Sequence, residues 1–215
     1  MSAFGPRSFS GKRQSIAVDA GFWVAELTGF PVLETDAILD WRGTIAALEG
    51  STNDLIIGPF DHLRAPAPSG LPPVIGGIPH SDGAFFSDGA GYSQSTIRVR
   101  LAAALDLRAT SATLIVDAAG PIRKGMYFTI WAMEGGVVLP RMYIITKPPV
   151  ANGNRVNIQF RPPLRTEAAA GSDVDFADPK LVMNLADPES GELDLAYGRF
   201  GRPSISLEES WNGLS

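Results

Sequence analysis

From Ser95 to Phe160 the chain repeats one pattern that few folds can accommodate. Short apolar runs of strand length follow one another, most of them separated by glycine, proline or asparagine. "STIRVRLAAAL" sets Ile97, Val99 and Leu101 against Arg98 and Arg100, the alternation of a strand with one face in water. "SATLIVDAAG", "KGMYFTIWAM", "PRMYIIT" and "NRVNIQF" follow, separated by "EGGVVL" and "KPPVANGN". Asn152-Gly153 signals a tight hairpin turn. "RPPLRTEAAAGSDVDF" adds a proline stop and one more short strand. Short strands at this spacing predict a small barrel or sandwich.

The tail adds "KLVMNL" and "PSISLEES", two strands placed to return to an earlier sheet. That sheet starts in "SIAVDAGFWVAELTGF", one or two strands broken at Gly21, and continues in "DLIIGPF", expected as a buried strand ended by Pro59. Between them lies the clearest helix, residues 36–49. Ile38, Trp41, Ile45 and Leu48 form one apolar stripe, Thr35 or Asp36 is placed to cap its start, and Gly50 its end. A lone amphipathic helix in such a chain packs on a sheet face.

Residues 62–93 carry no sustained period. "APAPSGLPP" and "IGGIP" lack the N–H donors for ladders or helices. The segment ends in "IPHSDGAFFSDGAGYSQ", with one of the two histidines, two Asp-Gly pairs and three aromatics. His80, Asp82 and Asp88 fit neither an EF-hand loop nor a helical histidine pair, and Asp-Gly is turn chemistry. Ser81 beside His80 and Asp82 is no triad, because neighbours along an extended chain point apart. His62, in "PFDHLR", reads as a turn residue. Glu208 and Glu209 alternate faces on a strand, so they offer no acid pair for glycoside cleavage. Neither a dinucleotide fingerprint nor a P-loop is present. The expectation is no catalytic, cofactor or metal site. Trp41 and Trp131 are read as core residues and Trp211 as an exposed anchor.

Composition narrows the class further. Hydrophobic residues make up 45% and charged residues 19%, a bland surface for a free monomer. The net charge is −5 with no basic stripe, which excludes affinity for phosphate backbones. No cysteine is present, so disulfides and thiolate chemistry are excluded. No apolar run reaches membrane-spanning length, and "MSAFGPRSFSGKRQS" lacks the apolar segment of a secretory signal. These features suit a subunit whose surface is covered by neighbours, with the 62–93 loop lying along them. Phe85, Phe86, Tyr92 and Trp211 are the expected interface anchors.

Three stretches together resemble the distal tail proteins of long-tailed siphophages. They are "AILDWRGTIAALEGSTNDLIIGPFD", the long run from "KGMYFTIWAM" to "KLVMNL" with its "PPLR" and Asp-Pro, and the closing "ISLEES". The resemblance implies a mainly β chain: a β-sandwich belt domain with one packed α-helix, residues 1–108 and 179–215, and a small β-barrel inserted at 109–178. It implies a virion protein of the tail tip, made in the host cytoplasm and without catalysis. It also implies a homohexameric ring joining the tail-tube protein to the baseplate hub, through which DNA passes without specific binding. A carbohydrate- or receptor-binding β module at the tail tip is the alternative, and a cell-wall hydrolase the third reading.

Overall fold

A computed structural model describes residues 2–7, 13–17, 21–29, 31–59, 61–68, 84, 97–188, 190–196 and 200–210, with the backbone alone for 2–7, 13–17, 62, 196 and 200. The chain is mainly β with one α-helix. It divides into two compact units. The first holds Met1–Gly21, Gly58–Met133 and Pro140–Lys180; the second holds Phe22–Ile57, Glu134–Leu139 and Leu181–Ser215.

In chain order, β1 (Ser2–Arg7) and β2 (Arg13–Ala17) form an antiparallel pair of their own. Then come β3 (Val24–Leu27), α1 (Thr35–Ala47), β4 (Leu55–Ile57) and a 3₁₀ turn at His62–Arg64. The barrel strands are β5 (Arg98–Leu101), β6 (Ser111–Ala118), β7 (Tyr127–Glu134), β8 (Val137–Ile145), β9 (Val150–Asn152), β10 (Arg155–Arg161) and β11 (Val174–Asp175). The chain closes with β12 (Leu181–Leu185), β13 (Leu195–Ala196), β14 (Phe200–Gly201) and β15 (Ile205–Glu209).

The seven-stranded sheet runs β11-β7-β8-β10-β6-β5, with β9 paired to β10 off this path. Strands β7, β8 and β10 lie neighbour to neighbour, while the earlier β6 lies on the far side of β10, a Greek-key return. The sheet nearly closes on itself. The Leu101 N–H donates to the Ser172 carbonyl and the Gly171 N–H to the Leu101 carbonyl, both at 2.9 Å, beside an Arg100–Asp173 bridge. Closure follows from the alternation. Val156, Ile158 and Phe160 of β10 point inward with Val99, Leu101 and Leu114, and the odd residues of β10 face water. The centre is aromatic. Phe128 lies 5.5 Å from Tyr143, 5.6 Å from Phe160 and 5.4 Å from Phe176 between ring centroids, within the favoured range for tilted and edge contacts.

Two turns set the register. Gly135 and Gly136, at φ 56° and 87°, join β7 to β8 as a two-residue turn with both central residues left-handed. Between β9 and β10, Asn152 pairs with Arg155, so the turn residues are Gly153 (φ 60°) and Asn154, one position later than the Asn-Gly dipeptide suggests.

The second unit carries a four-stranded antiparallel sheet in the order β3-β15-β12-β4. The two tail strands do return to the early sheet, and they occupy its middle. Val182 and Met183 are adjacent in β12, so they point to opposite faces, and both are buried. The α1 stripe is seen as expected: Ile38 and Leu48 are buried, Trp41 and Ile45 half-buried. The Trp41 indole N–H donates to the Gly191 carbonyl at 2.9 Å. A Cβ placed on Gly191 would lie 2.5 Å from Ile45 Cδ1 and 3.7 Å from Ile205 Cδ1, so helix and β15 meet over a backbone that only glycine fits.

Three local expectations are corrected. The N-cap of α1 is Glu34, extended at φ −103° and ψ 151° and making no side-chain cap bond; Thr35 and Asp36 are inside the first turn, where the Asp36 carboxylate favours the helix dipole. The helix ends at Ala47; the left-handed turn expected at Gly50 (φ 69°) begins one residue earlier, at Glu49 (φ 45°), and Asn53 adds bonds from its side chain to the Ala47 carbonyl (2.8 Å) and from its N–H to that of Leu48 (3.1 Å). Strand β4 is not a buried strand. It pairs only with β12 at the sheet edge, which leaves Ile56 49% exposed.

Candidate functional site

Phe85, Phe86, Tyr92 and Trp211, the expected interface anchors, lie outside the described residues, as do His80, Asp82 and Asp88.

Glu208 and Glu209 diverge as strand geometry requires. Glu209 is buried and clasps β15 to the start of β3. Its carboxylate accepts the Trp23 N–H at 3.1 Å, while its own N–H donates to the Trp23 carbonyl at 2.8 Å. Glu208 points to the other face and is only half-buried. The buried carboxylate is therefore engaged in holding the sheet. Among the described residues no group of three or more His, Asp or Glu side chains is placed to hold a metal ion. Arg165, also buried, donates through its guanidinium to the Gly21 carbonyl, and its N–H donates to the Tyr143 hydroxyl at 3.2 Å.

On the barrel surface Arg100 reaches Asp117 across β5 and β6 at 2.8 Å. The hydrogen bond to Arg100 holds the Asp117 carboxyl below the usual carboxylate range, and the same bond raises Arg100. Both groups are solvent-exposed, so the pair contributes little to stability.

A shallow cleft of about 520 Å³ opens on the outer face of β6 and β10. Register places Thr113 opposite Asn157 and Ser111 opposite Gln159, a grid of four neutral polar side chains that forms its floor. The Thr113 hydroxyl donates to Asn157 Oδ1 at 2.7 Å. Leu105 on one wall and Pro148 and Val150 on the other make the rim apolar, with Lys147 the one charged group of the lining. Lys147 is the one titratable group of the lining, beside neutral polar and apolar side chains.

The four-stranded sheet has the second feature. Its outer strands are β3 and β4, and among the described residues no strand pairs with the outer edge of either. Natural proteins blunt such edges with charge, proline or a cover. Here β4 reads Leu-Ile-Ile, and Phe22 and Val24 are exposed at the other end of the sheet.

Trp131 departs from its sequence reading. It sits in the middle of β7 facing outward, 39% exposed, because Phe128, Ile130 and Ala132 take the inward positions. Strand parity could have revealed this, since Trp131 is out of phase with Phe128 and Ile130. The cleft had no sequence signal, because its two strands meet only through the Greek-key return.

No protein-family model matches the chain, and no curated protein matches it. No helix among the described residues is long and apolar enough to cross a membrane.

Proposed function

We propose that the chain is a structural ring subunit at the distal end of a long non-contractile phage tail, joining tail tube to tail-tip hub and lining the DNA channel. The observation that supports this most is the four-stranded sheet whose two outer strands, among the described residues, have no partner on their outer edges. An edge is a row of backbone donors and acceptors that wants another strand. When one sheet offers two different edges, β3 of one copy meets β4 of the next. Such head-to-tail contact is heterologous, and it closes into a ring when the rotation per step is right.

Two further features agree. A duct for DNA works best without grip on phosphates, and the net charge is −5 with no basic cluster along the sequence. The low charged fraction, 19%, suits a surface covered by neighbours.

The test is class averages of the purified protein in electron micrographs. A closed ring with an open lumen is expected, together with no retention of double-stranded DNA at low salt. Monomers alone at high protein concentration would overturn the reading. Within assembled tails, replacing Phe85 and Phe86 by Ala is expected to impair assembly, while His80→Ala leaves it intact. Loss of function in intact His80→Ala particles would point to a chemical site instead.

A further inference from the structure

We infer that the outward arm of β7, Trp131 with Met133, seats in the β6–β10 cleft of a second copy of the chain. The inference rests on the ring reading and adds to it a second contact, independent of the sheet edges.

The first observation is a break in the barrel's surface rule. Outward positions on β6 and β10 are polar or charged apart from the half-buried Ile115: Ser111, Thr113 and Asp117, then Arg155, Asn157, Gln159 and Arg161. On β7 the outward positions nearest the turn are Trp131 and Met133, the latter 63% exposed. Two exposed apolar side chains on one face of one strand mark a contact surface.

The second observation is the cleft itself. A tryptophan needs apolar walls for its ring, an acceptor for its indole N–H and gains from a cation over its face. Leu105, Pro148 and Val150 supply the walls, and Val150 is 64% exposed. Ser111 and Gln159 supply acceptors, and Lys147 the cation. A methionine thioether fits the irregular remainder. No carboxylate lines the cleft, which suits an uncharged arm.

Why a second copy? Trp131 is not among the residues of its own chain's cleft, and β8 stands between β7 and β10 in the sheet. An apolar patch of this kind offers a few hundred Å², whereas a stable interface buries about 800 Å² per partner. One such contact does not hold two free proteins together. As an addition to the edge pairing it does, because every copy carries both the arm and the cleft, giving one to each neighbour.

The chain has no cysteine, so single replacements are unambiguous crosslinking probes. Met133→Cys and Val150→Cys are purified separately, one with a size tag, mixed, reassembled and treated with a short bismaleimide. A crosslinked product holding one copy of each variant is expected. Trp131→Ala is expected to weaken self-association about 30-fold, with an unchanged urea midpoint. Rings that form normally without the mixed crosslink would overturn this inference and leave the ring reading standing. A chain that stays monomeric would overturn both. Trp131→Ala rings of unchanged stability alongside specific binding of a host glycan at Asn157 and Gln159 would assign the cleft to a receptor and refute the arm.

Discussion

Placing a charge on the bare edge of β4 separates folding from assembly. Ile56 lies mid-strand, opposite Val182 of β12, with half of its side chain already in water. Ile56→Asp therefore forfeits roughly half of a full burial, about 1 kcal/mol. The poor strand preference of Asp adds about 1 kcal/mol. A domain stable by roughly 5–15 kcal/mol survives that loss. In a ring continued through sheet edges, the same carboxylate would be enclosed against the neighbour's β3, which carries Glu26. Like charges facing one another across strands repel, and an enclosed unpaired ion costs several kcal/mol. Even about 2 kcal/mol per contact weakens each contact about 30-fold, and a ring needs all its contacts together. Urea unfolding followed by tryptophan fluorescence reads the first effect, and mass photometry the second. A small fall in midpoint with loss of rings is expected. Full-sized rings from Ile56→Asp would refute the edge pairing.

Phe160→Ala, at the centre of the barrel's aromatic cluster and fully buried, is expected to cost about 3–5 kcal/mol in urea unfolding. Gly191→Ala is expected to cost about 2–4 kcal/mol, because φ is +89° and the new Cβ meets Ile45 Cδ1; adding Ile45→Ala should return the steric part only. Asp117→Asn is expected to leave the urea midpoint unchanged at neutral pH. Its folded pKa is lowered, so what the Arg100 pair gives is present above the ordinary value of 3.8 and is lost as pH falls through the lowered one; a fall at neutral pH would refute this.

How much of this could be read in the sequence depends on the range of the interaction involved. The inward side chains of β10 were legible because strand period is a local signal carried by Val156, Ile158 and Phe160. So was the helix stripe of Ile38, Trp41, Ile45 and Leu48. The start cap was not. Glu34 starts the helix with backbone geometry alone, and the Asn53 that adds bonds at its end lies six residues beyond Ala47, outside any capping pattern. The short strand expected in "GSDVDF" is there as β11, two residues long, but its place beside β7 was not legible, since pairing of Val174 with Ile130 fixes it across the sheet. The exposure of Ile56 was misread because an apolar triplet looks alike in a central strand and at an edge. As to the candidate site, the cleft pairs Thr113 with Asn157, residues joined only by folding, while Phe85, Phe86, Tyr92 and Trp211 lie outside the described residues.

The two larger sheets answer the same backbone demand differently. In the first unit the demand is met within the chain, since Leu101, Ser172 and Gly171 bring the last strand back to the first and leave little edge to pair. In the second unit the middle strands are fully occupied: β12 and β15 each have neighbours on both sides, and Leu207 and Val182 are buried. The outer strands stop at three and four residues without charge on β4. A short bare edge is a poor design for a protein that stays single, because it invites pairing with any exposed strand. It is a sound design for one whose next copy arrives at a fixed angle, since short edges pair weakly alone and strongly only when several contacts close at once. Assembly through such edges is expected to depend steeply on concentration, with little dimer between monomer and ring. A broad distribution of dimers and trimers in mass photometry would count against it.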